Sequence, residues 1–205
     1  MSMPSRVFEH TAALKKAEEF IEHLGPSVLT RSMIAGSIRR GKRSVHDIEI
    51  VAEVHGYKLK LVMDELMTQK RLVFRYPLKN GPRYKSLSFD GVALDLFMVL
   101  PDRQWGVTAL IRTGPGEANK ALVTRAHKGG LLPPGMEMFD AKLHYLGSEI
   151  NTPDEESVFY ACGMPYIEPH KRHELLYRKL QNLDAVVWEP RYPEQHEAYM
   201  QQALL

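Results

Sequence analysis

The run from Val92 to Val99, VALDLFMV, holds seven apolar residues and a single carboxylate, Asp95. Bounded by Asp90-Gly91 and Pro101, it predicts a buried strand from Val92 to Leu100. An unpaired charge in such a strand costs several kcal/mol, on the order of 3–5. The fold must therefore bring something cationic beside Asp95. One solution is an Arg partner; another is a bound metal ion.

A second stretch bears on that choice. AGSIRRGKRSVHDIEIV, from Ala35 to Val51, opens on a Gly-Ser turn, continues through Arg39, Arg40, Lys42 and Arg43, and ends on Asp47 and Glu49 among Val and Ile. In an extended chain rising about 3.3 Å per residue, Asp47 and Glu49 project to one face about 7 Å apart at Cα. Such a pair can serve two hard cations about 4 Å apart, with Asp95 on a neighbouring strand as a third carboxylate. Acidic alternation on a half-exposed strand facing water gives the same pattern. The Gly36-Ser37 turn adds weight to the first reading. Glycine admits close backbone approach to an anion, the Ser hydroxyl donates to phosphate oxygens, and Arg40 can grip them with paired donors.

Around these stretches the periodicity alternates between helix and strand. Ala13, Leu14, Ala17, Phe20, Ile21 and Leu24 recur at helical spacing, predicting a helix from Phe8 to Leu24 stopped by Gly25-Pro26. Val28 to Ala35 and Asp47 to Val54 predict strands, and Tyr57 to Gln69 a second helix. Arg71 to Tyr76 and Tyr84 to Phe89 predict strands on either side of the Asn80-Gly81-Pro82 turn. Beyond Pro101 come a short apolar stretch from Trp105 to Ile111, a turn at Thr113-Gly116, a helix over Glu117–Lys128, a loop at Leu131–Gly135 and short strands within Met136–Tyr145. Thr152-Pro153-Asp154-Glu155 reads as the cap and acidic first turn of another helix. A basic helical piece follows from His173 to Leu183. The expected organisation is an α+β protein: a mixed-sheet lobe over 1–101, a smaller α+β lobe over 102–172, and a tail over 173–205.

Composition excludes little beyond the extremes. With 44% hydrophobic and 25% charged residues, neither a disordered chain nor a membrane span is expected. A net charge of +2 is too small to diagnose a polyanion partner, so the local runs at Arg39–Arg43, Lys79–Lys85 and His170–Arg178 matter more. Cys162 is the single cysteine, which rules out an intramolecular disulfide and a thiolate metal cluster and suits a reducing, cytoplasmic setting. The spacing of His170 and His173 suits a metal only with a third ligand.

AGSIRRGKRSVHDIEIV resembles the nucleotidyltransferase signature of family X DNA polymerases, in which a Gly-Ser turn, an Arg and a D-x-D pair precede a distant third Asp. WGVTALIRTGPGEANKALVTRAHKGG is similar to that family's thumb segment, and TPDEESVFYACGMPYIEPHKR to its C-terminal segment with the G-x-P-x-I-x-P run. The resemblance covers residues 28–172. It implies a palm with flanking helices, a nascent-pair-binding thumb, and nucleotidyl transfer from a dNTP to a primer 3'-hydroxyl in gap filling during DNA repair. Asp47 and Glu49 would then hold two Mg2+ ions, with Mn2+ able to substitute, and Asp95 the catalytic one. Gly36, Ser37 and Arg40 match triphosphate contacts, Thr113 and Gly114 the turn beside the sugar, and Asn119 a residue at the minor-groove edge. Lys85, Lys120 and Arg125 are candidate DNA contacts. Primed or gapped duplex DNA would be the partner, no membrane is involved, and a monomer is expected.

Several positions depart from the family pattern. Glu49 stands where Asp is usual, lengthening one metal ligand by a methylene. Ile111-Arg112 replaces the aromatic pair before Thr113, which bears on the choice between deoxy- and ribonucleotides. Val123 and Ala93 replace arginines. Only one helix precedes Val28, so no deoxyribose-phosphate lyase activity is expected. A nucleotidyltransferase for another acceptor, or a silent DNA-end binder, are the competing readings.

Overall fold

Ala13, Ala17, Phe20, Leu24 and Val28 line one buried stripe, which is why the segment after the two-residue strand β1 (Phe8–Glu9) coils into helix α1 (His10–Val28). Gly25 does not end this helix as expected. At φ 62° it kinks the chain, and a last turn carries on through Pro26 to Val28. Only glycine takes that backbone conformation without strain. The computed structural model describes residues 7–99 and 105–173. The tail beyond His173, with the helix expected there, lies outside the described residues.

From α1 the chain runs through β2 (Leu29–Ile34), the short helix α2 (Gly36–Arg39), β3 (Ser44–Val45), β4 (Ile48–Val54), helix α3 (Gly56–Thr68), β5 (Leu72–Phe74), β6 (Tyr84–Phe89) and β7 (Val92–Val99). The expected Gly-Ser turn is thus the first turn of α2. Five of these strands form one sheet in the order β2-β4-β7-β6-β5, with β4 and β7 parallel and the other pairs antiparallel. β1 and β3 make a separate ribbon. Alternation along the strands divides the sheet into two faces. Ile48, Ile50, Leu87, Phe89, Leu94 and Leu96 point into a core shared with α1 and α3. Glu49, Asp95, Tyr84 and Ser86 belong to the other face.

An ionic cluster ties α1 to the strand ends. Arg71, just before β5, reaches Asp90 with Nε at 3.1 Å and Nη2 at 2.7 Å, and also pairs with Glu19 of α1. Lys16 donates to Glu19 at 2.6 Å and to Asp90 at 3.1 Å. Both cations lie over the Phe89 ring, at 5.4 Å for Lys16 and 5.0 Å for Arg71. The Arg71 bonds, with Lys16 behind them, pull the Asp90 carboxyl down from its usual 3.8 to about 2. A depressed carboxylate stabilises the fold above its unfolded pKa and loses that contribution as pH falls through the folded one. Acid titration of thermal stability is therefore expected to show a loss between about pH 4 and pH 2, amounting to about 1 kcal/mol after solvent screening. In Asp90→Asn that step disappears, and stability at neutral pH is already lower.

The chain divides into two compact units, Met1–Val99 and Leu100–Leu205. In the second, α4 (Trp105–Thr113), α5 (Gly116–Val123), the meander β8 (Met136–Phe139), β9 (Lys142–Tyr145) and β10 (Ser148–Ile150), and α6 (Glu155–Ala161) enclose a core of Val107, Leu110, Leu122, Leu143, Ile150 and Phe159. The apolar stretch at Trp105 is thus a helix. The helix expected over Glu117–Lys128 instead ends at Val123, followed by a 3-10 turn at Ala126–Lys128. Returning chain takes the carbonyls a further helical turn would use: Leu131 N–H donates to Ala121, Leu132 N–H to Thr124 and Gly130 N–H to Arg125. The cap of α6 is Asp154, in a reciprocal box with Ser157, and not Thr152. Thr152 is buried, and its carbonyl accepts from Gly106 N–H at 2.9 Å. Burial also pushes the Cys162 thiol up to about 12, which leaves it unreactive.

Candidate active site

β4 and β7 run parallel in a register that sets Glu49 directly opposite Asp95, and β6 sets Ser86 opposite Asp95 on the other side. Glu49, Asp95 and Ser86 thus form a row across three adjacent strands. Asp47 immediately precedes β4 instead of lying within it. The alternation still holds, because Ile48 between the two carboxylates is buried while Asp47 and Glu49 are partly exposed.

Asp95, partly buried, is compensated by hydrogen bonds and by an Arg. Its Oδ1 accepts from Tyr84 OH at 2.9 Å and Ser86 Oγ at 3.0 Å, and Arg75 Nη1 lies 3.7 Å away. All of these contacts fall on Oδ1; among the described residues Oδ2 accepts no hydrogen bond. Asp47 senses the same charge. Its carboxyl is pushed up, first by burial and then by repulsion from Asp95, while Arg75, His46 and Arg40 act the other way. Arg75, Tyr84 and Ser86 were not singled out by the sequence reading. Tyr84 and Ser86 had a signal in the polar alternation of YKSLSF, whereas Arg75 lies beyond the end of β5 and had none.

Glu49 is folded back against the start of α2. A Cβ placed on Gly36 would stand 2.1 Å from Glu49 Oε2 and 3.0 Å from its Cδ, so the carboxylate fills the space that glycine leaves. Gly36 also has φ 63°. Next to it, Ser37 Oγ is buried with no hydrogen-bond partner among the described residues. An orphaned buried hydroxyl is a place where a polar ligand atom would be satisfied. Gly36→Ala is expected to cost about 1–3 kcal/mol, from a left-handed alanine plus displacement of Glu49. Urea denaturation measures it. Adding Glu49→Ala should return the steric part and leave only the backbone part.

The donor set suits a hard divalent cation: three carboxylates on neighbouring chain segments, with one Asp95 oxygen uncommitted. As the side chains stand, no group of three His, Cys, Asp or Glu among the described residues is drawn together enough to hold a metal ion.

Other candidates are placed differently. Lys85 lies on the helix-covered face of the sheet, opposite Leu96, and its Nζ donates to Asn80 Oδ1 at 2.8 Å and Gly81 O at 3.4 Å. Burial lowers its pKa. Thr113, Gly114, Asn119, Lys120 and Arg125 belong to the second unit. Thr113 and Asn119 are buried, and Asn119 Nδ2 donates to Ile111 O at 2.5 Å, bracing α5 on the end of α4. Lys120 is exposed, and Arg125 pairs with Glu137. Arg172, part of a run read as suited to phosphate, is instead buried: it pairs with Glu155 and donates from Nε to Ile167 O at 2.6 Å. A guanidinium so enclosed is spent on the fold.

No helix of the described residues is long and apolar enough to cross a membrane. Compared with known proteins, the chain matches no family model and no curated protein sequence.

Proposed function

We propose that the protein is a template-directed DNA polymerase of the family X type, transferring a nucleotide from a dNTP to a primer 3'-hydroxyl with release of pyrophosphate, in short gap filling. What supports this reading is the Glu49–Asp95 pairing in register across β4 and β7, with Asp47 electrostatically coupled to Asp95 and the Gly36-Ser37 turn against Glu49. The sequence resemblance supplies the order of motifs around it.

Asp47, Glu49 and Asp95 would hold two divalent cations, which when bound lower the pKa of the attacking hydroxyl and neutralise charge on the attacking and leaving oxygens. Tyr84 and Ser86 fix Asp95 through Oδ1, leaving Oδ2 to face the ligand. Ser37 Oγ donates to a phosphate oxygen and so gains the partner it lacks. Arg40 adds positive charge beside Asp47, favouring its ionised form. Gly36, having no side chain, lets both the triphosphate and Glu49 approach.

Incubation with Mg2+ or Mn2+, each nucleotide separately, and primed, gapped or unprimed DNA tests the reading. Addition of only the complementary nucleotide to primed or gapped DNA is expected. Addition regardless of template would indicate a transferase for another acceptor, and DNA binding without addition a silent end binder.

A further inference from the structure

We propose that the loop joining β5 to β6 is a stacking clamp for an unpaired nucleobase of a single-stranded DNA overhang, seated on Tyr76. The proposal rests on the reading that the protein acts on DNA. It adds a base-holding site that the carboxylate chemistry does not require.

Residues 75–85, RYPLKNGPRYK, contain Arg75, Lys79, Arg83 and Lys85 and no carboxylate. Lys85 is turned to the helix-covered face and Arg75 to Asp95, so Lys79 and Arg83 are the charges of this segment that suit a strand of phosphates. Two of its apolar side chains are not buried by the fold: Tyr76 is 48% exposed and Leu78 is fully exposed. The loop is nevertheless ordered by its own bonds. Lys79 N–H donates to Tyr76 O at 3.0 Å, Ser86 N–H to Lys79 O at 3.0 Å, and Asn80 bridges Lys85. A preformed aromatic platform loses little freedom on binding.

The Tyr76 ring already attracts cations, with Lys79 Nζ 4.9 Å and Arg75 Cζ 5.4 Å from its centre. An exposed cation–π contact favours its bound form by about two- to fivefold. Base stacking on an aromatic side chain favours binding by about five- to a hundredfold. An incoming base therefore displaces Lys79 from the ring, and a phosphate beside that base receives it, while Arg75 stays on Asp95. Arg75 also joins the clamp to the candidate active site, since the same guanidinium lies 3.7 Å from Asp95 Oδ1. One guanidinium thus lies between the Tyr76 ring and Asp95.

The test uses the full chain and a primer–template duplex with 2-aminopurine in its single-stranded overhang. Wild-type protein is expected to quench the probe. Tyr76→Ala is expected to abolish the quench and weaken binding to the overhang at least about fivefold, and Tyr76→Trp to restore both. Lys79→Ala should lower the salt slope of binding by about one. A blunt duplex of equal length should bind wild type and Tyr76→Ala alike. The clamp is overturned if Tyr76→Ala quenches and binds as wild type does, if blunt duplex weakens equally, or if wild type binds no overhang. Protein that adds nucleotides unaffected by Tyr76→Ala would remove the clamp and leave the polymerase reading standing. Protein that quenches through Tyr76 yet adds no nucleotide would do the reverse.

Discussion

Asp95→Asn is expected to slow templated nucleotide addition by about 100- to 1,000-fold while leaving the first unit folded. The substitution is nearly isosteric, and an amide oxygen can still accept from Tyr84 and Ser86, which bond Oδ1 in the native protein. What is lost is negative charge. Asp47 is raised partly by repulsion from Asp95, so the variant relieves that repulsion, and stability without metal should hold or rise. A divalent cation bound at the proposed site would supply the same relief, and binding to the folded state alone would raise Tm. Thermal melts with increasing Mn2+ should show a rise in wild type and a much smaller one in Asp95→Asn. If the variant adds nucleotides at the native rate and keeps its Mn2+ response, Asp95 is a structural residue satisfied by Arg75.

The second large effect lies in the other unit. Arg172 is 2% exposed and Glu155 is 5% exposed. The guanidinium lies 5.0 Å from the centre of the Phe159 ring and 5.4 Å from that of Tyr166, whose hydroxyl reaches Glu155 Oε2 at 3.4 Å. Removing one partner leaves the other charge buried and uncompensated, and Arg172→Met is expected to cost about 3–5 kcal/mol. Arg172→Met combined with Glu155→Leu should recover most of that loss, because a matched apolar pair needs no compensation. Denaturant unfolding followed by circular dichroism, on both single variants and the double variant, measures the coupling. A double variant as unstable as the sum of the singles would show that packing, and not charge, is what Arg172 supplies.

That pair shows where sequence reading fails. His170, Lys171 and Arg172 are alike in sequence, and a basic run suggests phosphate contact. His170 and Lys171 are exposed while Arg172 is enclosed, and the difference is made by Glu155, 17 positions earlier. The same holds for Asn119. Its place after a Thr-Gly turn says nothing of the Ile111 carbonyl that its amide meets.

What the sequence by itself determined was local. The apolar stripe of α1, the alternation that separates Glu49 from Ile48 and Ile50, the turn residues between β5 and β6, and the need to compensate Asp95 all follow from neighbours a few positions apart, where backbone geometry fixes which way side chains point. Only the tertiary structure decided the register that puts Glu49 opposite Asp95, the reach of Arg75, the bonds from Tyr84 and Ser86, and the fit of Glu49 into the space above Gly36. Register and reach depend on pairing between segments up to 46 residues apart, as Glu49 and Asp95 are, and periodicity in one segment carries no information about its alignment with another.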